Sequence, residues 1–336
     1  MVDNVGEPRR REVSAKDMAK RVLRNENAVL VIILVVLIAI FGVITKGLTL
    51  SRVNVTNVLI QSAARGVASI GQAFVILTGN IDLTVGGIAL MTLVMGAGLV
   101  TGNPKATLLG APVVLAVAIV LMFLSGAGIG ALNGALVARV RMPSLIVTLG
   151  MWQITKGIAF QVTQGMTILQ LPRSVAFFGK GVVAGVPVPI IIFVVVCGVA
   201  YFILNHTTFG RSVYATGGSP VSAWLSGIRV PTVQLTVFIV SGILGTLAGL
   251  IYLGRTMCGS MLSAGGLELD SIAAVCIGGV SLFGGRGSIL GVIIGVIIIS
   301  VINNGMVVFA LDPALQNLVK GGVIIAAVAV DTLRRR

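Results

Sequence analysis

The sequence predicts an all-α, polytopic membrane protein with about ten transmembrane helices, and three observations carry that prediction. Of its 336 residues, 56% are hydrophobic and only 10% are charged, more apolar surface than a soluble domain can hide. Five of the ten acidic residues precede residue 27 and a sixth is Asp331, so Asp82, Glu268, Asp270 and Asp312 serve everything between. An interior nearly free of carboxylates is what hydrocarbon demands. Apolar runs of membrane-crossing length then recur along the chain, broken by Gly, Pro and charge.

Taken in order, the expected spans are 28–45, 55–79, 81–101, 107–137, 144–164, 187–205, 232–254, 270–282, 288–310 and 315–332. Residues 1–27 form a basic N-terminal tail, 28–332 the transmembrane domain, and 333–336 a basic C-terminal tail. The first apolar run, Ala28–Thr45, is too long for a signal-peptide core, and no small-x-small site follows it. If the N-terminus is cytoplasmic, the cytoplasmic segments hold 15 Lys/Arg against 6 on the other side. That bias predicts both termini inside and an even number of spans. The +14 net charge is therefore a topology signal, not a nucleic-acid surface.

Catalysis finds little material. The single histidine, His206, ends an apolar run, and Cys197, Cys258 and Cys276 stand at no metal-ligand spacing. No metal site is expected and no plausible catalytic set for an intramembrane enzyme exists. No G-x4-G-K-[ST] phosphate loop occurs, so the chain is expected to bind no cofactor. The glycine-rich SLFGGRGS (281–288) between two apolar runs reads as a tight hairpin. Gly126, Gly130 and Gly134, and Gly287, Gly291 and Gly295, recur every fourth residue, a helix-packing pattern within one subunit or between two. GNIDL (79–83) and GGLEL (265–269) echo one another weakly ahead of small-residue spans, as internal repeats do.

Asp82 has two readings: a helix cap set against the dipole, or a direct role in translocation. Gln72, Asn80, Gln153, Asn303 and Asn304 are further polar residues that would wet a pathway. Arg255, Glu268 and Asp270, on the outer side, suit an outer gate or the docking of a partner. Arg65, Lys156 and Lys320 fall within spans.

The segment 206–230 breaks the apolar pattern. Ser219 suits an N-cap, Pro220 the first helical position and Gly227 the left-handed stop, so a helix of about two turns is expected. Gly217-Gly218 reads as a sharp turn before it. Val221, Trp224 and Leu225, at i, i+3 and i+4, share one apolar face. Such a helix either lies on lipid or docks into a groove on a partner.

Five stretches, in order, settle a resemblance: TGNIDLTVGG (78–87), ALNGALVARVRMPSLIVTLG (131–150), FGRSVYATGGSPVSAWLSGI (209–228), the run GLELDSIAAV onward (266–305), and QNLVKGGVIIAAVAVD (316–331). The chain resembles the permease subunits of bacterial ATP-binding-cassette importers for simple sugars, over about residues 28–332. The resemblance implies a pathway-forming subunit in the bacterial inner membrane, not itself an enzyme, and a second permease copy or paralogue. It also implies a cytoplasmic ATPase that uses the ATP and a periplasmic substrate-binding protein. It makes Gly217, Gly218, Ser219, Pro220, Val221, Ala223, Trp224, Leu225 and Gly227 the ATPase-coupling element. The family's usual Asn and Glu are replaced here by Ser219 and Val221, which predicts a more apolar contact. The rival function is an ion-coupled secondary transporter, for which the embedded charges are few.

Overall fold

A computed structural model describes residues 26–333, so most of the expected N-terminal tail and the last three residues lie outside the described residues. The chain is a helical bundle: α1 (Glu26–Ile44), α2 (Arg52–Leu77), α3 (Thr84–Val100), α4 (Leu115–Ala138), α5 (Ser144–Thr163), α6 (Val188–His206), α7 (Thr208–Gly218), α8 (Pro220–Leu225), α9 (Val230–Thr256), α10 (Leu267–Ile277), α11 (Ile289–Val308) and α12 (Pro313–Leu333). The described sheet is one small antiparallel hairpin, β1 (Val182–Val183) with β2 (Val186–Pro187).

Seven of the described helices, namely α1, α2, α4, α5, α6, α9 and α11, are long and apolar enough to cross a membrane. Two more, α3 and residues 314–326 of α12, are apolar but shorter. Each of the ten expected segments carries a helix, with two corrections. The run 107–137 becomes helical only at Leu115, because Pro104, Gly110 (φ 77°) and Pro112 hold the preceding stretch as a loop. The expected span 270–282 is the 11-residue α10, closed by Gly278 and by Gly279 at φ 81°. At 1.5 Å per residue such a helix reaches about 17 Å, short of a ~30 Å hydrocarbon core.

The core gathers around α9, which packs on α2, α3 and α4. Its contact with α4 explains the first glycine row. A Cβ at Gly126 would overlap Thr246, at Gly130 the Phe238 carbonyl, and at Gly134 would stand 2.8 Å from Leu235 Cα. The second row does the same for α11 against α10, where Gly291 faces the Gly278 carbonyl and Gly295 that of Ala274. Both rows therefore pack helices within one chain. The outer faces of α1, α4, α5 and α6 carry exposed residues such as Val35, Leu124, Ile146 and Phe202, which is the surface lipid requires.

Candidate functional site

Two carboxylates and one short helix hold the polar chemistry. Asp82 lies in the break between α2 and α3 and is 1% exposed. Its Oδ1 accepts from Thr84 N at 2.8 Å and from the Thr84 hydroxyl, and its Oδ2 accepts from Ser241 Oγ of α9 at 2.6 Å. The side chain thus caps the first residue of α3 and ties that helix to α9. Asn133 Nδ2 of α4 donates to Thr84 Oγ1 at 2.8 Å. The Gln72 side-chain amide, turned to suit, donates to the Asp82 carbonyl (2.7 Å) and accepts from its N–H (3.3 Å). Ile81 N donates to Ser144 Oγ at 3.2 Å, so α5 joins the same knot. Asn80 is buried and folds back on Thr78 Oγ1 at 3.1 Å.

Asp270, in the first turn of α10, has a different environment. Arg65 Nε of α2 stands 3.2 Å from Oδ2, and Lys320 Nζ of α12 stands 3.3 Å from Oδ1. Asn303 Nδ2 of α11 donates to Oδ2 at 3.0 Å. One carboxylate therefore gathers four helices, and its cationic partners are Arg65 and Lys320 rather than Arg255. Arg65 Nη1 and Asn303 Oδ1 are buried there without a hydrogen-bond partner among the described residues. Asn304 pairs with Asn54 in both directions, at 2.9 and 2.8 Å. Glu268 is half-buried with its carboxylate against Gly86 of α3. Arg255 sits in the last turn of α9. Gln153 faces outward from α5, apart from both clusters, while Lys156 lies over the Trp152 ring at 4.2 Å. The echo between GNIDL and GGLEL aligns Asp82 with Glu268, yet the buried, doubly paired carboxylate is Asp270.

The segment 206–230 holds two helices where one was expected. Thr207 caps α7 through Gly210 N at 3.2 Å. Gly217 and Gly218 are the last residues of α7, not a turn; the bend falls at Ser219, whose backbone is extended. The reason is space, since a Cβ at Gly217 would overlap the Leu77 carbonyl. Ser219 Oγ then accepts from Ser222 N at 3.2 Å and Pro220 opens α8. Gly227, at φ 83°, ends it with Ile228 N donating to Ala223 O at 3.0 Å and Gly227 N to Trp224 O at 2.9 Å, the Schellman arrangement. Ala223 is buried beneath α8, whereas Val221, Trp224 and Leu225 are 69%, 66% and 73% exposed. Beside them runs a groove lined by Trp224, Gly227, Ile228, Arg229, Pro231 and Thr232.

Comparison with known proteins places this architecture. The family described as branched-chain amino acid transport system / permease component matches residues 54–328. The chain is 35% identical over 308 residues to the ribose import permease protein RbsC of Escherichia coli, covering 90% of this chain and 93% of that one. It is 37% identical over 301 residues to the D-allose transport system permease protein AlsC of the same species, covering 90% of each. It is 37% identical over 323 residues to the fructose import permease protein FrcC of Rhizobium meliloti, covering 92% and 86%. No solved structure gives a significant match.

The chain belongs to this transport-permease family.

Proposed function

Taking that membership as the premise, we propose that the chain is the membrane permease of an ATP-dependent importer and forms the pathway for a small polar solute, most simply a monosaccharide. The similar proteins named for ribose, allose and fructose supply the substrate class. Hydrolysis takes place in a separate cytoplasmic ATPase, a periplasmic binding protein delivers the solute, and a second permease copy or paralogue completes the pathway in the bacterial inner membrane.

The observation that carries the reading is α8. A six-residue helix has no reason to persist alone in water, yet this one is capped at both ends and holds three large apolar side chains outward. That is the form of an anchor for a groove on another protein. Exposed arginines follow the helix ends at this face, Arg139 and Arg141 after α4, Arg211 and Arg229 around α8, and Arg286 after α10. The positive-inside rule supports reading that end as cytoplasmic, so α8 is proposed to face the ATPase, with both termini on the same side.

The packing supports one mechanism. Closure of the ATPase moves α8, and the helices packed on it shift as rigid bodies between outward- and inward-facing states. Asp82, Gln72 and Asn80 lie along the α2–α3 break near the inner end. Asp270, Asn303 and Asn304, with Glu268 and Arg255 beyond them, hold the outer half. Arg65 Nη1 is a spare donor and Asn303 Oδ1 a spare acceptor, the complement that a hydroxyl-bearing solute meets.

The test is uptake in vesicles holding the permease with its ATPase and binding protein. ATP-dependent accumulation of a labelled monosaccharide, unaffected by a protonophore, is the expected result. Uptake that a protonophore abolishes and ATP does not drive would instead establish an ion-coupled transporter.

A further inference from the structure

α8 must pass its displacement inward, and the end of α7 that leads into it offers a joint for doing so. Three segments meet there backbone to backbone: the C-terminus of α7, the C-terminus of α2, and the turn 281–287 that follows α10. Gly285 N donates to the Leu77 carbonyl at 2.9 Å. A Cβ at Gly217 would overlap that same carbonyl and lie 2.5 Å from Gly285 N. A Cβ at Gly284 would lie 2.6 Å from Gly79 N and 2.9 Å from Gly217 Cα. Gly284 and Gly285 hold φ of 86° and 74°, which only glycine adopts freely. The turn closes on itself through Ser281 N to Arg286 O at 3.0 Å, and Tyr214 Oη of α7 donates to the Gly287 carbonyl at 3.0 Å.

We propose that Gly217, Gly284 and Gly285, with Tyr214, are positioning residues that transmit movement of α8 into the membrane. Gly217 lies two residues before the Ser219 cap, so α7 and α8 move the joint together. On one branch, Leu77 leads through Gly79 to Asp82, and from there to Ser241 of α9. On the other, the 281–287 turn leads back along α10 to Asp270 and its partners on α2, α11 and α12. Backbone-on-backbone contact suits this task, because it lacks the rotamer freedom that would let side chains absorb a displacement. The inference deepens the importer reading and rests on it.

A glycine away from the joint supplies the control. A Cβ at the exposed Gly198 of α6 meets nothing within 4 Å, whereas one at Gly217 would force the joint apart. In the reconstituted importer, the ratio of solute transported to ATP hydrolysed is measured for wild type, Gly198→Ala, Gly217→Ala and Tyr214→Phe. A photo-crosslinker at position 224 reports docking of the ATPase in each. Gly198→Ala is expected to match wild type. Gly217→Ala is expected to keep the crosslink and hydrolysis while losing most of its uptake, and Tyr214→Phe to lower the ratio by a smaller amount. A Gly217→Ala importer with the wild-type ratio overturns the proposal. Should that variant fail to assemble, an unchanged ratio in Tyr214→Phe overturns it equally. A wild-type complex with no ATP-driven uptake would remove the importer reading itself, which these variants do not bear upon.

Discussion

The buried carboxylates and the short helix α8 are built on opposite principles. Inside the bundle, every carboxylate oxygen of Asp82 and Asp270 has a partner: hydroxyl and amide donors at Asp82, two cations and an amide at Asp270. At α8 the polar groups are likewise met by Ser219 and the Gly227 stop, but the apolar ones are not. Val221, Trp224 and Leu225 face outward at the end of the molecule where exposed arginines gather. Need satisfied within the chain points to structure and to the path through it. Need left unsatisfied points to something outside the chain.

Within the interior the two carboxylates differ again, and the largest expected effect tests that difference. Asp270→Ala leaves Arg65 and Lys320 without their carboxylate, and stranding a buried charge costs about 3–5 kcal/mol. Thermal unfolding of the purified permease should register it as a large drop. Replacing Arg65 and Lys320 by methionine in the same variant should recover most of the loss, since no charge is then stranded. Asp82→Ala strands no cation among the described residues; Ser241 and Thr84 lose a shared acceptor, worth about 1–3 kcal/mol. Equal damage from the two alanine variants would break the distinction.

At α8 the effects on the permease alone are smaller. Ser219→Ala removes the N-cap, worth about 1 kcal/mol locally, and should weaken binding of the ATPase while global unfolding stays unchanged. Trp224→Ala should alter unfolding by no more than ~0.5 kcal/mol, because the side chain is mostly exposed. Its effect should appear only in partner assembly, measured as loss of co-purifying ATPase. A marked fall in permease stability would mean that the indole is packed on this chain after all.

Much of this was legible in the sequence because hydrocarbon permits so few solutions. Uninterrupted apolar runs place the long helices, and Ser219, Pro220 and Gly227 mark α8 by local chemistry that needs no tertiary context. What escaped depends on the third dimension. Gly217-Gly218 signals flexibility and so reads as a turn, yet its use is close approach to Leu77, a partner 140 positions away. The same blindness hides the pairing of Asp270 with Arg65 and Lys320, which lie on other helices. Ser241, Thr84 and Asn133 give no signal, since hydroxyl and amide residues within apolar runs often bond only to their own helix backbone. The length of α10 is not legible, because apolar residues continue past Gly278 while the helix ends at Ile277.

What lies against Trp224 decides whether α8 meets a partner protein. A photo-crosslinker introduced at that position in growing cells should yield one discrete product with a cytoplasmic ATPase subunit, and the yield should fall when Val221 and Leu225 are also changed to Ser. Adducts with lipid alone, or labelling of that position only by reagents confined to the periplasmic side, would contradict it.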